Sequence, residues 1–99
     1  MSDPALERLR EQIAATDRDI LELVNRRLEL VREIRAHKEA RGVAFVDPGQ
    51  EERLLARLRE LNAGPLSADG VERLFREILA LAKSESADEL GRKGAEAAD

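Results

Sequence analysis

Four charged side chains stand where the apolar pattern of this chain leaves little place for charge. Between Pro4 and Arg41 the residues Leu6, Leu9, Ile13, Thr16, Ile20, Leu23, Arg27, Leu30, Ile34 and His37 follow the alternating three-and-four spacing of one helical seam. Arg27 sits on that seam, flanked by Leu23, Val24, Leu30 and Val31. Lys38 follows about three turns later and points the same way. Arg10 borders the seam between Leu9 and Ile13. In a second apolar run, Glu51 is in phase with Leu54, Leu55 and Leu58. A buried charge is costly unless it is paired or serves a ligand. Guanidinium and ammonium groups suit anionic oxygens, and a carboxylate suits a hydroxyl or a cation.

Each of the four also has a plainer account. Arg10 can be a snorkelling surface side chain. Lys38 lies near a helix C-terminus and Glu51 near a helix N-terminus, where the helix dipole favours those charges. Arg27 and Glu51 can form a purely structural ion pair, and on spacing alone that account is somewhat favoured over an anion site. His37, the single histidine, ends the seam near a loop and reads as a surface or cap residue.

The elements that position these charges are legible. Pro4 to Arg41 contains no internal Gly or Pro and reads as one long helix, capped by Asp3, started by Pro4 and stopped by Gly42. At 1.5 Å per residue it is roughly 57 Å long. Val43 to Val46 form a short apolar connection in which Phe45 is expected to plug the core. Asp47 and Pro48 open a short second helix, with Gln50 at the capping-box position, and Asn62-Ala63-Gly64-Pro65 ends it. Ser67 caps a third helix of medium length, whose buried stripe is Val71, Leu74, Phe75, Ile78, Leu79 and Ala82. From Ser84 the pattern decays. The chain therefore divides into a helical domain over residues 1–83 and a frayed, linker-like or disordered tail over 84–99. The expected class is all-α. The two shorter helices can cover only part of the long one, so an intertwined dimer with antiparallel long helices is the simplest completion.

Composition narrows the function. The chain has 99 residues, 38% of them charged, only 2% aromatic, and no cysteine. Its net charge is −4 with both signs interspersed, which speaks against a nucleic-acid phosphate binder. No apolar run approaches membrane-spanning length and the N-terminus lacks a signal-peptide pattern, so a cytoplasmic location is expected. The absence of cysteine rules out disulfides and thiolate metal sites.

The ordered set of motifs resembles the all-helical class of chorismate mutases. The matching stretches are Leu9-Arg10-Glu11-Gln12-Ile13, Asp17, Asn25-Arg26-Arg27-Leu28-Glu29-Leu30-Val31, Glu33-Ile34, Lys38, Asp47-Pro48 with Glu51, Asn62-Ala63-Gly64-Pro65-Leu66 and Leu74-Phe75-Arg76-Glu77-Ile78. The resemblance implies a homodimer that rearranges chorismate to prephenate in aromatic amino-acid biosynthesis, with no cofactor and no metal. It implies that Arg27 binds one substrate carboxylate and that the partner subunit's Arg10 grips a carboxylate. It also implies that Lys38 donates to the ether oxygen, and that Glu51 with the backbone at Asp47 holds the ring hydroxyl. Three positions depart from the family pattern. Gln50 stands where Arg is usual, Ala82 where a small or hydroxyl residue is common, and Ser86 where a longer Gln or Glu meets the ether oxygen.

Two other functions remain beside catalysis. Asn62 to Leu66 and the tail resemble regulatory domains fused to, or associated with, the heptulosonate-phosphate (DAHP) synthase of the shikimate pathway, which sense a product with weak or no turnover. A helical dimerisation module without ligand is the other. A related helical enzyme that removes pyruvate from isochorismate is a weaker option.

Overall fold

In a computed structural model the chain forms three helices, and among the described residues there is no strand. The structure describes residues 3–42 and 47–98, with side chains as far as Ser86. Phe45 lies outside the described residues. Helix α1 spans Pro4–Arg41, α2 spans Pro48–Leu61 and α3 spans Ala68–Ala98.

Local chemistry sets the ends. Asp3 Oδ1 accepts from the backbone N–H of Ala5 at 3.0 Å and of Leu6 at 3.4 Å, which satisfies donors that the first turn leaves open. Gly42 stops α1 with φ 69°, a left-handed conformation that glycine adopts without steric cost, and its N–H donates to Glu39 O at 3.2 Å. Asp47 repeats the cap for α2. Asn62 then turns the chain by accepting from Gly64 N at 3.0 Å and donating through Nδ2 to Leu66 O at 2.6 Å. Ser67 Oγ accepts from Gly70 N at 3.0 Å and starts α3.

Helix α3 packs against both α1 and α2. Leu55, Val71 and Ala82 are its buried apolar contacts and those of α2, whereas α1 buries no residue at all. Ile13, Ile20 and Leu23 on the α1 seam stay 60%, 53% and 68% exposed. The protomer is accordingly stretched. Its radius of gyration is 18.1 Å, against about 13 Å for a compact domain of this size.

A charge cluster fastens α2 to α3. Arg76 Nη2 lies 2.7 Å from Glu72 Oε1 and 3.3 Å from Glu52 Oε1, and Arg59 Nη1 lies 3.6 Å from Glu72 Oε2. The hydrogen bond from Arg76 holds the Glu72 carboxyl below its ordinary value, and the same bond raises Arg76.

Helix α3 is longer than the apolar pattern foretold. It stays helical through Ala98, where fraying was expected from Ser84. Periodicity ends there, yet the segment is mostly Ala, Glu, Lys and Arg, which favour helix without needing a packed face.

Candidate functional site

A cleft of about 310 Å³ opens where the C-terminal half of α1, the first turns of α2 and the middle of α3 converge. Helix α1 contributes Arg27 and Lys38, with Val31 and Ile34 between them. Helix α2 contributes Gln50, Glu51 and Leu54, with its cap residue Asp47 at the rim. Leu79, Ala82 and Lys83 form the α3 wall. The volume is at the lower end of the usual range for small-ligand pockets, roughly 300–1,000 Å³.

Arg27 is half-buried and makes no hydrogen bond or ion pair with another described residue. Glu51 does not pair with it. The Glu51 carboxylate, 28% exposed, instead has Oε1 3.0 Å from Lys83 Nζ. The structural Arg27–Glu51 pair that spacing left open is therefore not formed, and a guanidinium fork remains for an anion. Lys38 is half-buried on the same helix face about three turns away.

Asp47 lines the cleft with its carboxylate committed to the α2 cap, accepting from Gly49 N at 3.0 Å and Gln50 N at 3.3 Å. Gln50 and Ala82 also line it. Two expected site residues do not. Arg10 is exposed on α1 and absent from the cleft. It lies roughly 42 Å from Lys38 along the helix, too far for one small ligand to touch both within one chain. Ser86 is one turn beyond Ala82 and only 2% exposed, and its Oγ has no hydrogen-bond partner among the described residues. It is buried outside the lining.

Lys83 is the residue that sequence reasoning missed. It follows Leu79 by one turn, so it is a charge in phase with the apolar stripe of α3. That same criterion singled out Arg27 and Glu51. The cleft thus sets three cations against two carboxylates over an aliphatic floor. Such a site can hold a small, multiply anionic molecule through its oxygens, with Glu51 as an acceptor for a hydroxyl.

A family profile described as chorismate mutase type II matches residues 9–86. The chain belongs to the chorismate mutase type II family. A chorismate mutase from Thermus thermophilus, solved in two forms, has the same fold. Form II superposes with a TM-score of 0.80 at 31% identity, covering 84% of this chain and 94% of that one. Form I gives 0.77 at 33% identity, covering 79% and 98%. Bifunctional chorismate mutase/prephenate dehydratases are similar too, at 35% identity over 79 residues for Stutzerimonas stutzeri and 38% over 71 residues for Neisseria gonorrhoeae. These alignments take in 75% and 71% of this chain, which spans only about a fifth of those longer proteins, 22% and 19%.

Proposed function

We infer that this chain is a chorismate mutase, rearranging chorismate to prephenate. The observation that carries the reading is Arg27: a half-buried guanidinium, unpaired among the described residues, in the same cleft as Lys38 and Glu51. The reaction is intramolecular. The ether C–O bond breaks as a C–C bond forms, and no proton changes place. Catalysis consists of holding the folded, reactive conformer and stabilising charge that grows on the ether oxygen. Arg27 takes one carboxylate bidentately. Lys38 donates to the ether oxygen. Glu51 accepts from the ring hydroxyl, and the backbone at Asp47 supports it. Gln50 and Ala82 complete the walls. Ser86 lies outside the lining and takes no part in it.

The site is completed by a second copy. The bare α1 seam and the elongated protomer support a twofold dimer with antiparallel long helices, which brings the partner subunit's Arg10 to the second carboxylate. The mutase unit comprises residues 1–83, with α3 running on through residues 84–98 as helix. A cytoplasmic location fits a small-molecule enzyme, and no helix among the described residues is long and apolar enough to cross a membrane. The bifunctional relatives make a prephenate dehydratase the favoured companion activity. Association with a DAHP synthase rests on the Asn62 to Leu66 resemblance.

Purified protein is tested by following chorismate absorbance and identifying the product. Prephenate formation supports the reading. Tight binding without turnover favours a sensor, pyruvate release favours lyase chemistry, and an inert mixture overturns all three.

A further inference from the structure

We propose that Lys83 is a positioning residue that holds the Glu51 carboxylate away from Arg27, so that the empty site does not neutralise itself. This inference rests on the chorismate reading above.

The geometry presents a problem that the chain must solve. Arg27 and Glu51 line one small cleft with aliphatic walls, and no substrate is needed to bring opposite charges together there. Left alone, a glutamate with three side-chain torsions can swing toward a half-buried guanidinium. The resulting pair would be stronger than on an open surface, because the walls lower the effective dielectric. It would also occupy the fork that a substrate carboxylate requires, and every binding event would first have to break it.

Lys83 removes that option. It comes from a different helix, and its Nζ lies 3.0 Å from Glu51 Oε1. Its side chain is 46% exposed, so the ammonium keeps part of its hydration while it holds the carboxylate. Lys83 engages one carboxylate oxygen, Oε1, and a carboxylate has a second oxygen with which to accept from a hydroxyl. Arg27 then remains unpaired among the described residues. No other cation lining the cleft approaches Glu51 from the α3 side, where the neighbouring wall residues are Leu79 and Ala82. Lys83 touches no reacting atom in this account and acts through Glu51.

Replacing Lys83 lets Glu51 compete with substrate for Arg27. A tenfold preference for the internal pair raises KM by the same factor, about 10, equal to roughly 1.4 kcal/mol. Because the internal pair is broken once substrate is bound, kcat changes little. Steady-state kinetics on the full chain with chorismate therefore compare wild type, Lys83→Met, Lys83→Arg, Glu51→Gln and the double variant Lys83→Met with Glu51→Gln, with thermal melting confirming that each is folded. Lys83→Met is expected to raise KM about tenfold with kcat within about twofold, and Lys83→Arg to restore wild-type KM. The decisive arm is the double variant. A neutral glutamine side chain cannot form the competing ion pair, so adding Glu51→Gln to Lys83→Met should bring KM back to that of Glu51→Gln alone. An unchanged KM in Lys83→Met overturns the inference. So does a double variant whose KM rises as the product of the two single effects, since Lys83 would then contact substrate itself. Wild-type protein that leaves chorismate unaltered overturns the mutase reading, and this inference with it. Wild-type turnover with either of the other failures overturns the inference alone.

Discussion

Truncating Arg27 should separate function from folding. In the empty cleft the guanidinium is half-buried and has no partner among the described residues. Arg27→Ala therefore takes away a partly desolvated charge that no internal bond repays, and the melting temperature should hold or rise. In the proposed transition state the same group faces a carboxylate. Two unit charges about 4 Å apart attract by roughly 4 kcal/mol at an effective dielectric of 20, before desolvation is subtracted. Removal of a preorganised donor from an active site costs about 2.7–4 kcal/mol, so kcat/KM should fall by about 10²–10³. Arg27→Lys should fall between the two, because it keeps the charge and loses the bidentate fork. The assay is chorismate consumption alongside a thermal melt of the same preparation. An Arg27→Ala protein within about fivefold of wild type, with its fold intact, would refute the assignment of the carboxylate to Arg27. A loss of activity that tracked a loss of stability would refute the claim that Arg27 is unpaired in the resting protein.

Other perturbations test separate parts of the reading. Mixing an Arg10→Ala chain with an Arg27→Ala chain should restore activity, since one of the two sites in the mixed dimer is intact; proven subunit exchange without recovery excludes Arg10 from the partner's site. Ile20→Glu places a charge on the bare α1 seam, where the native side chain is 53% exposed, and sedimentation should show loss of the wild-type dimer; unaltered sedimentation puts the interface elsewhere. Ser86→Ala deletes a buried hydroxyl with no partner and should stabilise the chain by roughly 1 kcal/mol in denaturant unfolding; a clear destabilisation means that the hydroxyl is bonded in the working assembly. Glu72→Gln should destabilise at neutral pH. The Arg76 hydrogen bond depresses the Glu72 pKa below its ordinary 4.5, so this stabilisation is present above the unfolded value and is lost as pH falls through the folded one. The difference between Glu72→Gln and wild type should vanish in strong acid, and one that persists there would assign the effect to packing.

What was legible in the sequence followed from local chemistry and from phase. The caps at Asp3, Asp47, Ser67 and Gly42 are written in single residues whose side chains or backbone freedom act within a few positions, and each has the bond expected of it. Helix periodicity put Arg27, Lys38 and Glu51 on inward faces, and all three line one cleft together with Asp47, Gln50 and Ala82. Arg10 lies outside the cleft of its own chain, and the role proposed for it requires a second copy. Ser86 shows the limit of phase: it shares a face with Ala82 but lies a turn further on, beyond the cleft. Lys83 is in phase with the apolar stripe of α3, yet a lysine where that stripe ends looks like solvated surface, and only the position of α2 reveals the carboxylate opposite it. The length of α3 was underread for a related reason. Amphipathic pattern reports burial, whereas Ala, Glu, Lys and Arg sustain a helix with nothing packed on it.

The thin interior of the protomer has a consequence for how this protein responds to change. Leu55 is fully buried, and few side chains share its burial. In the proposed twofold assembly each substitution is present in both chains, so Leu55→Ala, at about 2–5 kcal/mol in a single core, weighs on the dimer about twice over. Where that assembly covers the remaining apolar surface, stability also depends on chain concentration. Dilution acts on such a protein as a mild denaturant does on an ordinary one. A sample of sparse chains will be unfolded and inactive together, and in a cell the catalytic output should climb more steeply than the number of chains made.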